Sequence, residues 1–272
     1  MPALRIHVCA SGPFTSPSEA VTLSRRIAPD WGAVSANAPA RNAFRAPRAG
    51  RSCRVLFDDA AREVAGRYRS RAAYWYVRSK LAMDPVARKL VALGEDEPFG
   101  AVVDIATGRG QIALLLRTMG LARTVTGLDW DAAKIAIATA ASADLEGIAF
   151  AQSDVNTATL PDADTVLLVD ILHYLTVPEQ DALLVRAARA ARGRVIVRDV
   201  DPDRGASSVL TQSWEWVTTT LGYNRGARVA PRSFAEITAV LEGEGLGVTR
   251  EACSARGMSN ELLIGRRARL RV

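Results

Sequence analysis

One stretch limits the folds open to this chain more than any other: Ala101 to Leu116, AVVDIATGRGQIALLL. The apolar run Ala101, Val102, Val103 and Ile105 reads as a buried strand. It passes through the small residues Ala106, Thr107, Gly108 and Gly110 into a second apolar run with helical spacing. A strand, a tight glycine turn and a helix N-terminus follow. Glycine is needed where the backbone takes positive φ or lies against a ligand, and the first helical turn offers unpaired N–H groups with partial positive charge. A group rich in acceptors is expected there.

Two nucleotide-binding readings fit this turn. Gly108-Arg109-Gly110-Gln111-Ile112-Ala113 matches the G-x-G-x-x-[GA] dinucleotide fingerprint, with Asp129 about twenty residues on to hold a ribose. Asp104 opposes that reading, because an acid four residues before the first glycine would face a pyrophosphate with like charge. It suits a ligand with a cationic amine. The spacing D-x-x-x-G-x-G of Asp104, Gly108 and Gly110, followed by GLDWD with Asp129, resembles the S-adenosylmethionine (SAM) site of class I methyltransferases. The resemblance implies that the turn underlies the methionine moiety and that Asp129 holds both ribose hydroxyls. That family usually has glycine where this chain has Ala106.

Beyond the turn, strands and helices alternate, as in a parallel sheet with helices on both faces. The expected strands are Thr124 to Leu128, Ile148 to Gln152, Ala163 to Val169 and Arg194 to Val197, with helices over Asp131 to Ala141 and Pro178 to Arg192. Each strand end carries an acid: Asp104, Asp129, Asp154, Asp170 and Asp199. Ligands of open α/β sheets bind outside the carboxyl ends of strands, so these aspartates are expected to line one crevice. Helices over Ser207 to Leu221 and Ser233 to Glu244, then strands Gly247 to Ala252 and Glu261 to Gly265 joined by SARGMSN, complete the chain. The expected fold is α/β: a doubly wound, mostly parallel seven-stranded sheet with an antiparallel last strand, preceded by N-terminal helices. The resemblance spans about residues 99–267.

The basic charge lies outside that fold. The net charge is +6, yet residues 1–54 hold eight Arg against Glu19 and Asp30, so the other 218 residues carry 27 basic and 27 acidic side chains. Nucleic-acid binding needs cations clustered on one face, and the charge balance of the folded part argues against nucleic acid as its partner. Rich in Ala, Arg, Pro and Ser, residues 1–54 show no sustained period and read as a disordered extension. A targeting peptide, an arm for an anionic partner, or a natural start downstream are the options for it. Residues 55–98 read as a helical lid in which Val64, Tyr68, Ala72, Trp75 and Leu81 recur at helical steps and Asp84-Pro85 restarts a helix. RYRSRAAYWYVRSK then serves as an amphipathic helix with a core-facing aromatic side, as a wall and cation over the cofactor, or as both. Residues 99–272 form the SAM-binding domain. No apolar run approaches a membrane span, and Cys9, Cys53 and Cys253 have neither metal-ligand spacing nor a pairing pattern. No metal is expected, and a cytoplasmic location follows as the default.

By resemblance, the cofactor set comprises Asp104, Ala106, Gly108, Gly110, Asp129, Trp130, Asp154, Val155 and Asp170, with Asp154 and Val155 meeting the adenine and Asp170 near the sulfonium and the acceptor. For a weak nucleophile the protein must also remove a proton. His173 in VDILHYLTVPEQ is the candidate base, Tyr174 the weaker one, and Asp170 can orient either. In the family this His also serves structure or cofactor contact, which leaves both roles open. Base- and amide-methylating enzymes usually carry an Asn/Asp-Pro-Pro-Tyr motif where this chain has Asp170-Ile171-Leu172-His173, so a small-molecule or lipid-like acceptor is favoured. Trp214, Trp216 and Tyr223 either wall an apolar acceptor pocket or pack in the core. An NAD-type oxidoreductase and a catalytically silent SAM-fold protein or RNA methyltransferase adaptor are the competing readings. Acceptor identity and oligomeric state are not legible.

Overall fold

The computed structural model describes residues 53–202, 231–254 and 260–268. The extension up to residue 52, the helix expected over 207–221 with Trp214 and Trp216, Tyr223, and most of the SARGMSN linker lie outside the described residues.

Three helices come first: α1 (Cys53–Gly66), α2 (Arg71–Met83) and α3 (Pro85–Asp96). Ser70 caps α2 by accepting from the Ala73 N–H at 3.0 Å. Asp84 ends α2 and caps α3 with Pro85 in the first turn, as the Asp-Pro pair predicts. The restart at Ser70 also changes which residues of α2 face inward. Ala73, Val77 and Leu81 are buried at i, i+4 spacing, while Trp75, expected on the core side, is 56% exposed. One continuous helical phase across Gly66 to Ser70 would have been needed to bury it.

The alternating part follows as β1 (Gly100–Ile105), α4 (Gln111–Thr118), β2 (Ala122–Asp129), α5 (Ala132–Ala141), β3 (Ile148–Gln152), β4 (Ala163–Val169), α6 (Val177–Ala190) and β5 (Ala191–Val200). After them come α7 (Phe234–Gly243), β6 (Leu246–Ala252) and β7 (Asn260–Arg267). The seven strands order as β3-β2-β1-β4-β5-β7-β6, with β7 antiparallel to both of its neighbours and the first five strands parallel. Strand order reverses between β1 and β4, the position in an open α/β sheet outside whose strand ends ligands bind.

Alternation along the strands feeds two cores. Val102 and Leu167 pack on one face with α4 and all three N-terminal helices, through Phe57, Val64, Val77, Leu81 and Leu90. Val103, Val166 and Leu168 pack on the other face with Leu183, Leu184, Ile237 and Leu241. The N-terminal helices are therefore continuous with the sheet's own packing.

Candidate active site

The turn after β1 has an unusual backbone. Ala106, Gly108 and Gly110 all take positive φ, at 59°, 59° and 76°. For Ala106 the left-handed region costs about 1–2 kcal/mol, so the surrounding structure imposes it. The turn is tied down by the Thr107 N–H on the Leu128 carbonyl and the Gly110 N–H on the Thr107 carbonyl, each 2.9 Å. The glycines differ in what excludes a side chain. A Cβ on Gly110 would come within 2.6 Å of the Phe150 ring, whereas one on Gly108 would meet nothing within 4 Å. Gly110 serves packing; Gly108 borders open space.

Asp104 and Asp129 flank that space and are almost fully buried. Asp129 accepts from the Gly108 N–H at 2.8 Å and the Asp131 N–H at 2.9 Å, so it bridges the turn and the start of α5. Asp104 accepts from the Thr107 hydroxyl at 2.6 Å. Burial pushes the Asp104 carboxyl up to about 7, against the Thr107 hydrogen bond and with added repulsion from Asp129. A cationic ligand at Asp104 must displace a proton below that pH and meets a carboxylate above it. Affinity for such a ligand is therefore expected to climb by up to about tenfold per pH unit below about pH 7 and to level off above it. Calorimetry from pH 5.5 to 8 checks this, and Asp104→Asn should flatten the rise.

The N-terminal helices reach over the turn. The Tyr68 hydroxyl donates to the Arg109 carbonyl at 2.7 Å, and the Arg109 guanidinium lies 4.3 Å from the Tyr76 ring centre. Burial raises the Tyr68 pKa, keeping the hydroxyl protonated and able to donate. At the end of β2, Trp130 is 57% exposed. Past β3, Asp154 is exposed and accepts from the Asn156 N–H at 2.9 Å, and Val155 is buried beside it.

At the ends of β4 and β5 the alternation of side chains sends Arg198 and Asp199 into separate ionic clusters. Arg198, 5% exposed, donates to Asp170 and, at 3.2 Å, to Asp84. Lys80 Nζ adds contacts at 2.8 Å to Asp84 and 3.8 Å to Asp170. Asp170 also takes a positive φ of 56°. Asp199 accepts from His173 Nδ1 at 2.5 Å and from the backbone N–H groups of Leu172 and His173 at 3.0 and 3.3 Å. Burial opposes ionisation of Asp199, but the facing imidazole and these donors hold its pKa below the ordinary carboxylate value. An ionised Asp199 fixes the tautomer: Nδ1 carries the hydrogen and Nε2 the basic lone pair. Tyr174 packs beside the imidazole with ring centres 4.0 Å apart.

The fold thus joins Asp104, Ala106, Gly108, Gly110 and Asp129 around one opening, while His173 and Tyr174 share the short 3-10 helix after β4. Asp170, expected to orient the imidazole, faces Arg198 and Lys80; Asp199 does the orienting. Sequence reading also missed Arg198, whose only signal was its place one residue before an acid at a strand end.

Residues 102–193 match the family model described as a methyltransferase domain. The chain carries a class I, SAM-dependent methyltransferase domain. No curated protein matches it at a significant level. Among solved structures, this methyltransferase is similar to magnesium protoporphyrin IX methyltransferase (ChlM) from Synechocystis PCC 6803 with bound SAH, at 21% identity and TM-score 0.55, covering 80% of this chain and 100% of that one. An O-methyltransferase family protein from Burkholderia thailandensis is similar at 19% identity and TM-score 0.56, covering 79% and 70%. A chain from the complex of the Haloferax volcanii Trm112 methyltransferase activator with a methyltransferase matches at 17% and TM-score 0.56, covering 69% and 91%. These likenesses concern the fold. The residues present also suit SAM: two buried acids stand beside a glycine whose missing side chain leaves open space.

Proposed function

We propose that this methyltransferase transfers a methyl group from SAM to a small-molecule or lipid-like acceptor. The observation that carries the cofactor part is the pair Asp104 and Asp129 on either side of Gly108, one beside the turn and one bonded to its N–H. Asp129 would hold the ribose hydroxyls, Asp104 the amino group, and Asp154 with Val155 the adenine, with Ala106, Gly108, Gly110 and Trp130 lining the site. SAM, when bound, supplies an electrophilic methyl carbon. The chain's own work is to orient the acceptor, exclude water and take its proton. His173 Nε2 would take that proton, with Asp199 holding the imidazole in the required tautomer and Tyr174 beside it. Asp170, neutralised by Arg198, would border the acceptor.

The acceptor class rests on Asp170-Ile171-Leu172-His173, in place of the Pro-Pro-Tyr motif of base and amide methylation. Two similar structures, named for magnesium protoporphyrin IX methylation and O-methylation, are in keeping with it. Among the described residues no helix is long and apolar enough to cross a membrane. The cytoplasmic location expected from the cysteine pattern remains part of this proposal.

Asp129→Ala is expected to weaken SAM binding by about 1–3 kcal/mol, since two ribose hydroxyls lose their acceptor. Unchanged affinity by calorimetry would remove Asp129 from the site. Tight NAD binding without SAM binding would overturn the whole reading.

A further inference from the structure

The loop after β3 has a partner that cofactor binding alone does not call for. Arg186, half-buried on α6, donates Nη2 to the Val155 carbonyl at 2.5 Å and Nη1 to the Ala158 carbonyl at 2.7 Å. Its Nε donates to Ala182 on its own helix at 3.2 Å, so the guanidinium is held at its base and clamps two carbonyls at its tip. The loop is closed on itself: the Asp154 carbonyl accepts from the N–H groups of Thr157 and Ala158, and the Asp154 carboxylate accepts from that of Asn156. A second tie to the same helix runs from the Asn156 amide to Glu179 at 3.3 Å. The charge of Arg186 also acts on Asp154, and burial lowers the guanidinium's pKa without neutralising it.

Two charge-assisted bonds to carbonyls one turn apart fix the peptide planes of that turn. One of those planes joins Val155 to Asn156, adjacent to the Asp154–Val155 peptide, so the aim of the Asp154 carboxylate and of the Val155 N–H depends on it. We propose that Arg186 is a positioning residue for recognition of the purine edge, setting the angle at which Asp154 and Val155 distinguish a 6-amino from a 6-oxo base. This rests on the reading that Asp154 and Val155 meet the adenine. The Arg186 guanidinium is bonded to the loop's carbonyls and acts through them.

The test compares binding of S-adenosylhomocysteine and S-inosylhomocysteine, its 6-oxo analogue, by calorimetry on the full chain, with melting temperature as a check of folding. The wild type is expected to prefer the adenine form by about tenfold or more, as sites built to pair a polar group do. Arg186→Ala should weaken the adenine form and leave the inosine form within about twofold, so that the preference collapses; Arg186→Lys should restore part of it through one carbonyl. An equal loss for both ligands, an unchanged preference, or a wild type that binds both alike overturns the proposal. Asp154→Ala separates the two readings. If the preference survives Asp154→Ala but not Arg186→Ala, the assignment of Asp154 fails and Arg186 acts through Val155; the reverse pattern keeps Asp154 and overturns the role of Arg186.

Discussion

His173→Ala is expected to slow methyl transfer by roughly 10²–10⁴, the range usual for loss of a general base, while SAM affinity stays within a few fold. The expectation comes from geometry as well as residue type. Asp199 pairs with Nδ1 at 2.5 Å and is anchored by two backbone N–H groups, so the lone pair sits on Nε2 in a fixed orientation. Asp199→Asn should lower the rate too, because an amide can donate to Nδ1 and favour the other tautomer. Both side chains are buried, and His173→Ala leaves the Asp199 carboxylate without the Nδ1–H that faces it. The measurement is therefore turnover at saturating SAM per folded molecule, with the folded fraction taken from near-ultraviolet circular dichroism. A purely structural imidazole would show lower stability or weaker cofactor binding with turnover intact, and that result would remove His173 from the chemistry.

Arg198→Met should destabilise the protein by about 3–5 kcal/mol, the cost of breaking a buried ion pair from one side. The side chain is 5% exposed and serves two carboxylates, Asp170 and Asp84, which would be left, among the described residues, with Lys80 as their cation partner. The pH dependence gives the loss a signature. Burial works against ionisation of Asp84, but Arg198 and Lys80 more than offset it and hold its pKa below the ordinary value. A depressed folded-state pKa means stability that is present above the unfolded value near 4 and lost as pH falls through the folded one. Removing Arg198 removes that contribution, so the gap between wild type and variant should be widest near neutral pH and narrow below about pH 4. Denaturant unfolding at pH 7 and pH 3.5 checks this. An equal gap at both would show that packing, not charge, is what Arg198 provides.

The Arg198 cluster also places the N-terminal helices. Asp84 both ends α2 and caps α3, and it is bonded to the residue that neutralises Asp170 at the end of β4. Tyr68 and Arg109 make the equivalent join over the glycine turn. The same helical segment thus touches the ends of both strands, and on that ground we propose that residues 55–98 act as the lid expected from the sequence.

Sequence by itself determined what depends on near neighbours. The apolar run, its glycines and the following helix appear as read; β3 and β4 match their expected bounds, and Asp84, Asp131 and Ser233 cap the helices they were read to start. Period-two and period-3.6 burial, capping and positive-φ turns act over a few residues, so local spacing encodes them. The antiparallel last strand was legible for the same reason, from a short hairpin-like connection. Where reading failed locally, at Trp75, a new cap at Ser70 had reset the helical phase. Tertiary structure alone decided the pairing of charges. Asp199 with His173, Arg198 with Asp84, and Arg186 with Val155 join positions 26, 114 and 31 residues apart. Five strand-end acids and many arginines offer too many combinations for spacing to rank, and the choice is made by strand order and by the pleat, which turns Arg198 to one face of β5 and Asp199 to the other.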